Sequence, residues 1–141
     1  MKPLRTIKDG RKVVKVYHDN FEYYQPNTHV CGDCAIRCVA GALKIDWEEA
    51  LRLLIEKAFI LHEPPTATEC IGAVLEDKGF VWKAVDVKTG GSRPKVHEFS
   101  KSHKGTYVFR VSNHVVCARN GYYKDIWDCG EKCLYGYWEK K

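Results

Sequence analysis

A chain of 141 residues, 45% hydrophobic and 12% aromatic, is long enough to bury one core without metal or disulfide staples, which excludes a disordered chain. Its apolar runs, such as Ala58–Leu61, are too short to cross a bilayer, so no membrane partner is expected. The net charge of +5 lies in mild runs, Lys8–Lys15 and Lys88–Lys104, the second joined by His97 and His103; with no reading element beside them they predict solvated faces, and no specific nucleic-acid partner is expected.

Lys2, Arg5 and Lys8 open the chain without the apolar stretch of a signal peptide, which predicts a cytoplasmic protein. Arg11–Tyr17 alternates enough β-branched residues for a strand, and the polar stretch His18–Asp33 reads as a long loop. Asp33 predicts an N-cap with Cys34 at the first helical position; Ala35, Cys38, Val39, Ala42 and Leu43 form the apolar face behind it. Asp46-Trp47-Glu48-Glu49 starts a second helix that runs to about Ala58, with Ala50, Leu51, Leu54 and Ile55 on one side. Pro64-Pro65 stops it. A third helix opens over Thr66–Glu69, carries Ile71, Val74 and Leu75 inward and ends at Gly79.

After Gly79 the period changes to two. Phe80–Val87, Thr106–Val111, His114–Ala118, Tyr122–Trp127 and Leu134–Trp138 read as strands, with Asn120-Gly121 a hairpin turn and Lys88–Ser102 a mobile loop. Helices first and an antiparallel sheet afterwards predict a single α+β domain over 1–141, its first helix packed on the sheet.

Seven cysteines in a reducing compartment predict thiols, each a filler, a ligand or a nucleophile. Cys34 stands out because free N–H groups and the helix dipole at a helix start stabilise a thiolate. Cys38, one turn further on, falls within the apolar face and reads as filler. A thiolate enzyme also needs an imidazole, and of six histidines His114 is the one within a strongly patterned strand. The next strand should supply a carboxylate to orient that imidazole. A two-residue turn puts His114 opposite Trp127 and on one side with Asp125; a three-residue loop puts it with Asp128. Asp128, at the strand's end before Cys129-Gly130, is the slightly preferred orienter.

Cys31-Gly32-Asp33-Cys34 followed by a helix resembles the segment around the nucleophile of papain-like cysteine peptidases, and the order Cys, His, Asp matches theirs. Gly32–Arg37, Asp125–Asp128 and Tyr135–Trp138 further resemble small papain-like proteins of bacteriophages and prophages. The resemblance spans roughly Gln25 to Trp138 and implies a papain-like fold, a protein or peptide substrate, no cofactor, and peptide or isopeptide hydrolysis. It makes Gln25 the candidate oxyanion-hole donor, although Gln25 lies six residues before Cys31 and nine before Cys34; Cys31 is therefore a second-choice nucleophile, as in the related bacteriocin-processing peptidases. It also implies that Trp127 shields the His114 hydrogen bond, against the plainer reading of Trp127 as core.

Two other readings stay open. The same Cys–His pair supports deamidation and acyl transfer. Alternatively Cys31-x-x-Cys34 and Cys129-x-x-x-Cys133 form a four-thiolate zinc site, which would make the chain a binding module.

Overall fold

The computed structural model describes residues 1–27, 29, 31–87 and 91–141. Two strands come first, β1 (Arg5–Asp9) and β2 (Lys12–Val16), paired as an antiparallel hairpin, then the short β3 (Phe21–Tyr23). Three helices follow: α1 (Cys34–Leu43), α2 (Trp47–Leu61) and α3 (Thr68–Asp77). The remainder is β4 (Phe80–Ala84), α4 (Val96–Ser102), β5 (Thr106–Val111), β6 (His114–Arg119), β7 (Tyr122–Asp125) and β8 (Gly136–Lys140). The main sheet has the order β3-β7-β6-β5-β8-β4.

The α+β architecture is therefore present, with one correction to the sheet. It is mixed, because β3 joins β7 in parallel while the other neighbours run antiparallel. Two strands and one helix were not expected. β1 has no apolar alternation, being exposed at four of its five positions, and three-residue β3 sits inside the expected His18–Asp33 loop. Of the expected Lys88–Ser102 loop, Lys88–Gly90 lie outside the described residues and Val96–Ser102 is helix α4, begun just after Pro94.

Alternation along the strands sends neighbouring side chains to opposite faces and so builds two cores. Val108, Val115, Cys117 and Trp138 meet α1, α2 and α3 on one face. Tyr107, Phe109, Val111, Val116 and Ala118 meet Val14, Val16, Phe21, Val96 and Leu134 on the other. Each fully buried Val, Leu or Phe contributes about 1.5–3 kcal/mol, which clamps the sheet between two layers. Helix α1 lies across β6 and β5 with Ala35, Ile36, Cys38, Val39 and Ala40 buried. That packing brings the start of α1 to the start of β6.

The hairpin turns at the two ends of β6 are both tight. Asn113 (φ 54°) closes β5 onto β6 so that Val111 pairs with His114, and Asn120 (φ 56°) with Gly121 (φ 88°) closes β6 onto β7. Two consecutive positive φ angles are the signature of the two-residue type I′ turn. The pairs Arg119 with Tyr122, Ala118 with Tyr123 and Cys117 with Lys124 follow from it, and continuing that register sets His114 against Trp127.

A candidate thiol–imidazole–carboxylate site

Cys34 opens α1, half-buried, with Asp33 just before it. Asp33 occupies the expected N-cap position, but its side chain does not cap the helix. Its carboxylate is buried and engaged elsewhere: Trp47 Nε1–H donates to Oδ2 at 2.8 Å, and Arg37 Nη1 donates to Oδ1. The Asp33 carbonyl accepts the first helical bond from Arg37 N–H, 2.9 Å. The N–H groups of the first turn are thereby left without a side-chain partner, next to Cys34.

The His114 ring lies beside the Cys34 thiol on the lining of one cavity, and the two groups shift each other's pKa. Nε2–H donates to Asp125 Oδ2 at 2.6 Å, so Nδ1 is the nitrogen left for sulfur. His114 keeps 11% of its side-chain surface exposed and Asp125 1%. Burial alone would discourage charge on either partner of the thiol–imidazole pair. For Cys34 that burial is outweighed by the His114 hydrogen bond and charge, the Val115 backbone N–H and the Arg37 charge, which together pull its pKa below the ordinary thiol value. For His114 burial likewise pushes down, but the bond to Asp125 and the bond to Cys34 prevail and raise it to about 9. The two shifts share one contribution, the interaction of Cys34 with His114, which favours thiolate beside imidazolium; Asp125 adds to the rise of His114 and Arg37 to the fall of Cys34.

Asp125, not Asp128, holds the imidazole. The expected preference for Asp128 fails because the turn after β6 has two residues rather than three, so Asp125 shares the His114 side. Asp125 also accepts Arg37 Nη2–H at 2.9 Å and its own neighbour Ile126 N–H at 2.7 Å, both on Oδ1, and the Cys129 thiol. β7 ends at Asp125 rather than at the expected Trp127, and the Ile126 N–H is taken by the Asp125 side chain. Asp128 instead accepts Tyr17 N–H at 2.7 Å, His18 N–H at 3.2 Å and Gly130 N–H at 3.0 Å, together with the Tyr123 hydroxyl. It ties the segment after β2 to the loop after β7.

Arg37 is the site residue that the sequence reading missed. It sits one turn from Cys34 among Ala35, Ile36, Cys38 and Val39, 5% exposed, and bridges Asp33 to Asp125. An arginine on an otherwise apolar helix face must find a carboxylate, and Asp33, four residues back, was the readable signal.

The remaining expected residues are placed as follows. Gln25 does not line the cavity in front of Cys34; its Oε1 accepts Asn27 N–H at 3.3 Å. Cys31 is exposed and accepts a hydrogen bond from Asn27 Nδ2 at 3.7 Å. Trp127 is not in the core: it is 40% exposed, its ring centroid 5.3 Å from that of His114. Cys31, Cys34, Cys129 and Cys133 do not converge as a zinc site requires. Cys133 and Cys31 are exposed, while Cys129 is buried under Asp125 with its thiol held well above the ordinary value, first by burial and then by the Asp125 charge. His114, Asp125 and Cys129 do bring a nitrogen, a carboxylate oxygen and a sulfur within 4.8 Å of one another. A cation there would compete with Arg37 for Asp125 and would need the Cys129 proton removed.

A cavity of about 240 Å³ is lined by Cys34 and His114 together with Thr66, Thr68, Arg110 and Asn113. No family model, curated protein or solved structure matches the chain.

Proposed function

We propose that the chain is a papain-like thiol hydrolase, acting on peptide or isopeptide bonds, with Cys34 as nucleophile, His114 as acid and base, and Asp125 as the residue that orients His114. The observation that carries this reading is the linear arrangement Cys34–His114–Asp125, with a sulfur at an uncapped helix start and an imidazole held charged beside it. Cys34 Sγ attacks the acyl carbon and its electron pair forms the new C–S bond. The carbonyl oxygen takes the negative charge and faces the free N–H of Cys34. His114 Nδ1–H passes its proton to the departing amine as the C–N bond breaks. Neutral His114 then removes a proton from water, whose oxygen attacks the thioester and returns the thiolate–imidazolium pair. Asp125 stays ionised throughout and keeps Nε2 protonated. Trp127 covers the bond between them from solvent.

The test is acyl transfer from 4-nitrophenyl acetate, followed by intact mass and peptide mapping. An acetyl group on Cys34 that disappears with time, absent from Cys34→Ala and His114→Gln, is the expected result. Persistent acetylation of lysines alone would overturn the reading. Adding glycinamide separates the reaction classes: predominant release of acetate supports a hydrolase, whereas acetylglycinamide as the main product assigns the same residues to acyl transfer.

A further inference from the structure

Arg110 stands at the rim of the cavity with no catalytic duty in the scheme above. It occupies β5, two residues beyond Val108, and so projects from the sheet face that α1–α3 cover. At Val108 that cover is complete; at Arg110 it has ended, and the guanidinium is exposed beside Cys34 and His114. Among the described residues no carboxylate lines this cavity and none pairs with Arg110. A cation without a partner in an active-site cleft is different from one on an open face. The bidentate fork of arginine matches a carboxylate.

A second feature points the same way. Helix α3 presents its N-terminus to the cavity through Thr68, its first residue, and Ala67 before it offers no side-chain cap. The dipole end and the unpaired N–H groups of that turn favour negative charge. Glu69, in the same turn, is exposed and does not line the cavity, so it leaves the site cationic. The Thr66 and Thr68 hydroxyls and the Asn113 amide add neutral donors to the lining of the same cavity.

We propose that Arg110 and the start of α3 form an anionic subsite, so that the acyl substrate attacked by Cys34 carries a carboxylate near its scissile bond. This rests on the thiol-hydrolase reading and adds the substrate class. An acidic side chain next to the acyl group is the favoured form; a free chain terminus offers the same chemistry. Arg110 acts here as a specificity residue and takes no part in proton transfer.

Matched alkylating reagents test the subsite without knowledge of the substrate. N-iodoacetyl-glutamate α-amide and N-iodoacetyl-glutamine α-amide have nearly the same shape and differ by one charge. Cys34 should react about three- to tenfold faster with the acidic reagent, the worth of one partly screened charge pair. Arg110→Gln should bring the ratio close to one, and because the ratio is taken between two reagents on the same protein it is insensitive to any change in the thiol's own reactivity; Arg110→Lys should keep part of the preference. Iodoacetylglycine, which presents a terminal carboxylate, distinguishes the two sources of charge by whether it outpaces or trails the glutamate reagent. An acidic-to-neutral ratio that is the same in Arg110→Gln and the parent protein contradicts the proposal. Should Cys34 prove inert to every reagent, the hydrolase reading falls separately. Amide shifts of Thr68 and Asn113 on adding N-acetyl-glutamate α-amide, lost in Arg110→Gln, would then still establish the anionic subsite, and their absence would remove it.

Discussion

Asp125 and Asp128 lie three residues apart at the same end of the molecule and do opposite work. Asp125 receives side chains that can change charge or carry it: the His114 imidazole, the Arg37 guanidinium and the Cys129 thiol. Asp128 receives backbone N–H groups from Tyr17, His18 and Gly130 and one hydroxyl, from Tyr123. A carboxylate bound to titrating groups sets their protonation; one bound to amides sets only the path of the chain. The comparison teaches that proximity to a histidine in sequence says little, and that the nature of the donors decides whether a carboxylate serves chemistry or architecture.

The largest effect is expected on the Asp125 side. Asp125→Asn keeps the shape but removes the charge that holds His114 protonated. The His114 pKa should fall from about 9 toward its ordinary 6.5, and alkylation of Cys34 at neutral pH should slow by about tenfold or more. Asp125→Ala would also strand Arg37 without its partner and cost about 3–5 kcal/mol of stability, read from urea unfolding. An Asp125→Asn protein whose Cys34 labels at the parent rate would break the distinction between the two carboxylates.

Asp128→Asn should show the reverse pattern. Its amide keeps one acceptor oxygen where the carboxylate has two, so either the Tyr17 and His18 N–H groups or the Gly130 N–H and the Tyr123 hydroxyl lose their acceptor, and stability should fall by about 1–3 kcal/mol. The rate and pH profile of Cys34 labelling should be those of the parent protein. A shifted Cys34 profile in Asp128→Asn would return Asp128 to the site.

Stability should also change with pH on the Asp125 side alone. Because the folded-state pKa of His114 is raised, the stability gained from its protonated form is fully present below about pH 6.5 and is lost as pH rises through about 9. Thermal unfolding in a Cys34→Ala background, which removes the opposing titration of the thiol, should show the loss across that window, and Cys34→Ala/His114→Gln far less of it.

The geometry of this end could be read from the chain only in part. Cys34 at a helix start and His114 on the following sheet come from capping and from period-two patterning, both local and strong. The choice between Asp125 and Asp128 hung on one turn. Asn120-Gly121 is the standard sequence for a two-residue type I′ hairpin, but a third loop residue would have fitted the same letters and reversed the side. Arg37 was hidden because its partner Asp125 is far along the chain and its nearer partner, Asp33, looked like a cap. The strand pairing of β3 with β7 was invisible for a different reason. Three residues carry too little alternation to announce a strand, and parallel pairing is settled by what the neighbouring strand leaves open.

Two smaller measurements sharpen the picture. Purified protein should hold far less than one equivalent of zinc and keep its circular dichroism in a chelator. The four cysteines of the zinc reading lie apart, and the nearer trio of His114, Asp125 and Cys129 is occupied by Arg37 and a thiol proton. Stoichiometric metal whose removal unfolds the chain would replace the catalytic account. Trp127→Ala should admit water to the His114–Asp125 bond and slow Cys34 labelling by about two- to threefold, with no loss of fold, since the ring is already 40% exposed.

The central claim is that Cys34 is a thiolate paired with imidazolium at neutral pH, and competition among the seven cysteines for limiting iodoacetamide tests it most directly. Peptide mapping across a pH series should find Cys34 labelled first, with an onset below that of an ordinary thiol and shifted upward in Asp125→Asn. Labelling that begins at the exposed Cys31 or Cys133 while Cys34 stays inert up to the ordinary thiol range would contradict the account.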